Sequence, residues 1–179
     1  MRTVVLGDHH PELTEWIARR RASGQDLYDE VWRGEYHMAP ATHGWHSQLQ
    51  NELARVLGPR ARRAGLIDSG PVNIGDPEDF RVPDAALHDT RDLDAVWFDT
   101  AAMTIEIVSP GDESWLKFDH YAAHDVDEVL IADPRSRELH LFVLTDGRYD
   151  RADRSRLLDM TVAELHAAIA WPGDNTRSA

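Results

Sequence analysis

The chain changes character after Gly65, from helical periodicity to a succession of short strand-like segments separated by turn residues, and this change constrains the fold most. The segments are apolar, rich in β-branched residues and bounded by Gly, Pro, Asp and Ser, as strands are. They read LIDSG, PVNIG, RVPDAALHD, MTIEIVS, DEVLIAD, ELHLFVL and GRYD, and the helical segment SWLKFDHYAAHD interrupts them. An all-helical fold is therefore excluded, and a central sheet is expected.

Helical spacing dominates before Gly65. The segment PELTEWIARRRASG predicts a helix with Leu13, Trp16 and Ile17 on one side, and YDEVWRGEYHMAP predicts a short hairpin. A second helix follows, with Thr42 as a candidate N-cap and Pro59 expected to weaken or end it.

The last helix begins with a T-x-x-E capping box, Thr161 to Glu164. Together these segments predict one domain of 179 residues with a mixed α/β (α+β) fold, a central mixed sheet flanked by helices. Within it we expect an N-terminal helical segment at 1–27, a core at 28–170 and a flexible tail at 171–179.

Composition limits the classes of function. The chain has no cysteine, which excludes disulfides and thiolate metal sites. No apolar run approaches membrane-spanning length and the N-terminus lacks the apolar core of a signal peptide, so we expect a cytoplasmic protein with no membrane partner. The formal net charge of -13 argues against broad adhesion to nucleic acid, although a local arginine patch remains compatible with it.

Three charged residues stand in unusual places. Asp84 and Glu106 lie within apolar strand patterns, and Lys117 is the only lysine in the chain. Burying an unpaired carboxylate costs several kcal/mol, so these acids require a cation or a shared metal ion. Mg²⁺ takes oxygen ligands, and a lysine beside it offers a compact ammonium that can lose its proton when desolvated. A purely structural Glu106–Lys117 ion pair explains the same residues.

Several motifs, in order along the chain, resemble the putative restriction endonuclease family, often called the Uma family, of the PD-(D/E)XK nuclease superfamily. They are YDEVWRGEYHMAPATHGWHSQLQNEL, VPDAAL and IEIVSPGDESWLKFDHYAAHDVDEVLIADP, which span most of the chain. The resemblance implies a restriction-endonuclease-like fold, with residues 28–170 as a nuclease-like core.

The resemblance also implies a site. Asp84 would be the acid of the PD element, Glu106 the second carboxylate, and the backbone carbonyl of Ile107 a further ligand for Mg²⁺ or Mn²⁺. The superfamily's lysine usually follows two residues after the second acid, where this chain has Val108. In this family the next helix supplies the lysine, which makes Lys117 the displaced catalytic residue.

Glu35, His46 and Tyr121 match further family positions and are supporting candidates. Each also has a structural interpretation: a surface turn residue, a core histidine and a packing tyrosine. The acid that the family often places before the lysine has no clear counterpart, although Asp112 or Glu113 could replace it.

The resemblance implies a metal-dependent endonuclease that hydrolyses DNA phosphodiester bonds, with the attraction to DNA weak or focused in a cleft because the chain is acidic. A homodimer is expected from the family. Two alternatives stay open: a non-catalytic binding or oligomerisation module that keeps the fold, and hydrolysis of another phosphoester.

Overall fold

The computed structural model describes residues 2–4, 11–39, 41–92, 94–111 and 113–174. These ranges contain four α-helices and strands arranged in two six-stranded sheets and a two-stranded ribbon. The predicted mixed α/β class is confirmed. The strands divide between two large sheets, whereas the sequence predicted one.

The first sheet is built from the hairpin region and the strands that follow it. Its strand order is β1-β3-β2-β6-β5-β8. The bounds are β1 Arg2–Val4, β2 Glu30–Trp32, β3 Glu35–Met38, β5 Asn73–Asp76, β6 Asp79–Arg81 and β8 Trp97–Phe98. The predicted hairpin is the antiparallel pair of β2 and β3, and β2 also pairs with β6.

The second sheet contains the longer strands, in the order β12-β11-β10-β9-β7-β4. Its bounds are β4 Ile67–Ser69, β7 Ala85–His88, β9 Met103–Ile107, β10 Glu128–Asp133, β11 Glu138–Thr145 and β12 Arg148–Ala152. It is mixed because β9 and β10 are parallel, whereas β7 and β9 are antiparallel. The ribbon pairs β13 Arg154–Ser155 with β14 Met160–Thr161.

The segment RVPDAALHD does not form one strand, as the sequence predicted. β6 ends at Arg81 and β7 begins at Ala85, so the chain passes from one sheet to the other through Val82, Pro83 and Asp84. The proline has no backbone N–H to donate to a ladder, which favours a break here. Asp84 therefore lies immediately before β7 and is not part of a strand.

The helices are α1 Pro11–Ala22, α2 Gly44–Arg63, α3 Phe118–Ala123 and α4 Val162–Ala168, and a 3₁₀ turn, Ser114–Lys117, leads directly into α3. The predicted capping box of α4 is confirmed: the Thr161 hydroxyl accepts from the Glu164 N–H at 3.1 Å, and the Glu164 carboxylate accepts from the Thr161 N–H at 2.7 Å. The apolar side of α1 is confirmed too, because Ile17 is buried with Leu13 and Trp16 packed beside it. No helix in the described ranges is both long and apolar enough to cross a bilayer.

One prediction about α2 is wrong, and a second, that Pro59 weakens or ends the helix, is contradicted only as to its end. His43, not Thr42, is the N-cap, and the helix continues through Pro59 to Arg63. A proline inside a helix costs about 3 kcal/mol. Full burial of one leucine contributes about 1.5–3 kcal/mol. Leu49, Leu53 and Leu57 are all buried, so packing outweighs the proline.

The two faces of the second sheet bury different surfaces. On one face, α2 and α4 cover β9 and β10 with an almost entirely aliphatic cluster that includes Met103, Ile105 and Ile107. On the other face, Tyr121 of α3 packs against Val129 and Ile131 of β10. Because strand side chains alternate, Glu106 points to this second face.

Trp171 is buried in the aliphatic cluster, although the sequence assigned it to the tail at 171–179. Residues 175–179 lie outside the described residues. The division of the chain into segments stays a prediction.

Candidate active site

A buried polar contact joins Glu106 of β9 to Lys117, at the end of the 3₁₀ turn. The side chains are 3% and 5% exposed, and the lysine Nζ lies 3.0 Å from both carboxylate oxygens. The Tyr121 hydroxyl, one turn further along, donates to Glu106 Oε1. The structure therefore brings three of the sequence-selected residues together, and Tyr121 both packs and orients the carboxylate.

A third acid, Glu30 of β2, completes the contacts of this lysine. Its Oε1 lies 2.8 Å from Lys117 Nζ, and the Val82 carbonyl accepts from the same amine at 3.2 Å. Glu30 Oε1 also accepts from the Val82 N–H at 2.7 Å, and Oε2 accepts from Trp32 Nε1 at 2.6 Å. Glu30 is 1% exposed, so it is a fixed part of the site.

Sequence reasoning missed Glu30. The signal was available: a carboxylate in an alternating strand pattern beside Val31 requires a partner, which is the argument that selected Glu106. It was hidden because the hairpin also carries Asp29 and Glu35, and alternation alone does not say which acids face inward.

Asp84 lies between β6 and β7, immediately before the first residue of β7. Its Oδ2 accepts from the Ile107 N–H at 2.7 Å, and its Oδ1 lies 3.1 Å from His46 Nε2 on α2. Its carbonyl oxygen accepts from Gln50 Nε2 at 2.6 Å. Since β7 and β9 are antiparallel, the start of one meets the end of the other, which places Asp84 beside Ile107 and Glu106.

His46 is buried, and its Nδ1 has no hydrogen-bond partner among the described residues. The other ring nitrogen, Nε2, contacts Asp84 Oδ1. Through this contact His46 orients the Asp84 carboxylate.

These side chains surround an open cleft of about 260 Å³ between the two sheets and the first turn of α2. Its floor is formed by Glu30, Asp84, Glu106 and Lys117. Tyr28, Thr42, His43, Ser109 and Pro110 are also in its lining. A group as small as a phosphodiester fits a space of this size.

Comparison with known proteins identifies the family of the chain. The family model described as Uma2, putative restriction endonuclease, matches residues 12–170. The chain belongs to this family. The matched range contains every residue of the cleft, and a search of curated proteins gives no match.

One solved structure supports the fold. The crystal structure of a putative nuclease belonging to DUF820 from Anabaena variabilis ATCC 29413 superposes with a TM-score of 0.65 at 16% identity, covering 79% of this chain and 91% of that chain. A cryo-EM structure of a DrdV–DNA complex overlaps more weakly, with a TM-score of 0.35 at 16% identity over 60% of this chain and 12% of that chain. The first likeness confirms the restriction-endonuclease-like fold that the resemblance implied.

The charges in the cleft differ from the sequence expectation in one respect. Burial raises the pKa of Glu106 to about 8, with Asp84 and Glu30 adding to the effect against the opposing attraction of Lys117. Burial alone would lower the pKa of Lys117, but the negative charges of Glu106 and Glu30 outweigh it and raise that pKa above its usual value. The sequence suggested an amine able to lose its proton, whereas the surroundings hold Lys117 as an ammonium.

The donor set suits a hard divalent cation. Three acidic side chains, Glu30, Asp84 and Glu106, face one ammonium, and Lys117 is the one cleft-lining residue with a fixed positive charge among those described. Within the described part of the chain, no three His, Cys, Asp or Glu side chains are grouped as a ready-made metal site. Mg²⁺ needs only one or two protein carboxylates, because water and substrate phosphate complete its coordination. Asp84 and Glu106 meet that requirement.

Glu35 is the supporting candidate that the structure does not bring to the cleft. It is exposed, 4.0 Å from His37 Nε2, and it contributes to a separate depression with Arg81 and His120. Glu113, considered as the acid preceding the lysine, lies 3.0 Å from His37 Nδ1. Asp112, the other candidate for that position, lies outside the described residues.

Proposed function

We propose that this protein is a metal-dependent endonuclease that hydrolyses DNA phosphodiester bonds. The observation that carries the proposal is the convergence of Asp84, Glu106 and Lys117 in one open cleft. Membership of the restriction endonuclease family supports the reaction class.

Asp84 and Glu106, with the backbone carbonyl of Ile107, would hold Mg²⁺ or Mn²⁺. Such an ion polarises the scissile phosphate and lowers the pKa of a bound water. His46 and the Ile107 N–H fix the orientation of the Asp84 carboxylate, and Tyr121 fixes that of Glu106. Hydrogen bonds of this kind commonly orient metal-binding carboxylates.

Lys117 contributes a charge to the reaction. In the metal-free site, the negative charges of Glu106 and Glu30 raise its pKa, which favours the ammonium form. An ammonium beside the scissile phosphate stabilises the negative charge that develops there in the transition state. We therefore assign Lys117 electrostatic stabilisation.

The acidic cleft sets a condition for substrate binding. Its described lining presents three acids and one ammonium, so the protein side chains alone repel a phosphate backbone. A bound divalent cation would make the local electrostatic potential positive and so attract the phosphate backbone. We therefore expect DNA affinity to depend strongly on Mg²⁺ or Mn²⁺ and to be weak in chelator.

The test is cleavage of single- and double-stranded DNA in Mn²⁺ at low salt by wild type, Asp84→Asn and Lys117→Met. Wild type should cleave, and each variant should lose about 10²–10³-fold in rate, the range expected when one electrostatic contact to a transition state is removed. Glu35→Gln serves as the control and should cleave like wild type, since Glu35 lies outside the cleft. If wild type binds Mn²⁺ and cleaves neither DNA, the endonuclease proposal is wrong.

A further inference from the structure

The ammonium of Lys117 has more acceptors around it than protons to donate. Glu30 Oε1, both oxygens of Glu106 and the Val82 carbonyl all lie within 3.2 Å of Nζ. A lysine ammonium has three N–H groups. Each proton therefore already has an acceptor inside the protein, and binding a substrate phosphate requires that one of these contacts be given up.

The two glutamates differ in how firmly they are held. Glu30 is fixed by the Val82 N–H on one oxygen and by Trp32 Nε1 on the other, and Val82 also supplies a carbonyl to the lysine. Glu30, Val82 and Lys117 thus form a closed ring of hydrogen bonds. Glu106 is bonded to Lys117 and Tyr121 and faces the cleft, where the cation is proposed to bind.

We propose that Glu30 is the positioning residue of Lys117, and that it retains the ammonium at the cleft when Glu106 engages a divalent cation. The cation and the ammonium repel each other, so without Glu30 the lysine would be displaced as the ion binds. With Glu30 in place, one N–H leaves Glu106 and becomes available to the substrate phosphate. This inference rests on the proposed metal-dependent function.

The unique lysine makes the proposal directly measurable. Protein grown with lysine labelled with ¹⁵N at Nζ contains one labelled side chain, since Lys117 is the only lysine. In wild type we expect a protected Nζ–H signal that shifts on Mg²⁺ addition and stays visible. In Glu30→Gln we expect a signal without Mg²⁺, held by Glu106, that is lost to solvent exchange when Mg²⁺ saturates the site.

The matched control is Glu128→Gln. Glu128 is also 1% exposed, and its Oε1 accepts the Arg156 and Leu157 N–H groups, away from Lys117. This variant removes a buried negative charge without touching the lysine, so its Nζ signal should respond to Mg²⁺ as in wild type. A purely structural role of Glu30 would affect folding, but it would not cause the lysine signal of Glu30→Gln to disappear when Mg²⁺ is added.

A signal that survives Mg²⁺ saturation in Glu30→Gln as it does in wild type would overturn the positioning role. Calorimetry separates the two proposals. If wild type binds no Mg²⁺, the metal-dependent function is wrong, and a metal-free double-mutant cycle of Glu30→Gln with Lys117→Met decides the contact. A coupling of at least tenfold in the unfolding equilibrium constant, about 1.4 kcal/mol, supports the Glu30–Lys117 contact, whereas additive effects of the two substitutions refute it.

Discussion

Strand β9 presents its side chains to two different chemical environments, one on each face of the second sheet. Toward α2, β9 presents Met103, Ile105 and Ile107 to a surface of leucines. Toward α3, it presents Glu106 to a lysine, a tyrosine and a second glutamate. Glu106 is as buried as Ile105 and Ile107, so the exposed fraction of the side chains alone does not distinguish the two faces.

The difference lies in how each face holds its geometry. Dispersion contacts on the aliphatic face are numerous and individually weak, so one lost methyl group has a local and graded effect. The polar face depends on a few charged contacts that compensate one another, and removing one partner leaves the others buried without compensation. The aliphatic face thus supplies stability, and the polar face concentrates charge where a substrate can reach it.

The largest expected effect comes from removing the central cation. Lys117→Met retains the side-chain volume but leaves Glu30 and Glu106 without their ammonium. Removal of one partner from a buried ion pair lowers the free energy of unfolding by about 3–5 kcal/mol. Urea unfolding without metal at pH 7 should show this loss.

The double variant Lys117→Met with Glu106→Leu is the control for that measurement. Because buried ion pairs can be replaced by apolar residues at little cost, it should recover part of the stability. If the double variant is less stable than the single variant, uncompensated charge is not the cause, and the contrast between the two faces fails.

The aliphatic face is tested by Leu53→Ala. Leu53 is 1% exposed in the middle of α2, and truncation of such a leucine costs about 2–5 kcal/mol. Activity per folded molecule should stay unchanged well below the unfolding temperature, because α2 touches the cleft through its first turn and His46. The control is Leu27→Ala at a 60% exposed position, where the change should be within about 0.5 kcal/mol.

An activity loss in Leu53→Ala at full folding would contradict the separation of the two faces. It would show that packing on the aliphatic side sets the position of the acids. Circular dichroism and cleavage rates measured at the same temperature distinguish this outcome from simple unfolding.

The sequence predicted the aliphatic face well, and the reason is local. Leu49, Leu53 and Leu57 recur at the helical interval of four, and Ile105 and Ile107 alternate along a strand. Both patterns can be recognised within a dozen residues. The same local rules did not give the N-cap of α2, nor its continuation past Pro59, where packing across the sheet outweighs the local cost of the proline.

The polar face was predicted in part. Asp84, Glu106 and Lys117 could be selected because charged residues of these types are rare in apolar patterns. Glu30 could not be assigned, because its contact with Lys117 depends on β2 pairing with β6 far along the chain. The raised pKa of Lys117 depends in part on that same contact, so it could not be predicted from the sequence either.

The smallest expected effect is a gain on the aliphatic side, from Pro59→Ala. The substitution restores the backbone N–H that α2 lacks for the Arg55 carbonyl, at an exposed position that no core side chain needs. Removal of the proline also raises the conformational entropy of the unfolded chain, which offsets part of the gain in stability. We expect a net stabilisation of about 1 kcal/mol, measured as a higher urea midpoint with an unchanged slope.

Asn51→Ala, at another exposed position of the same helix, separates hydrogen bonding from helix propensity. It improves propensity alone and should gain about 0.5 kcal/mol. If Pro59→Ala gains no more than Asn51→Ala, the missing hydrogen bond has no measurable cost in the folded protein. If Pro59→Ala instead destabilises the protein, the proline shapes α2 to fit the sheet, and the aliphatic face is less tolerant of local change than the polar one.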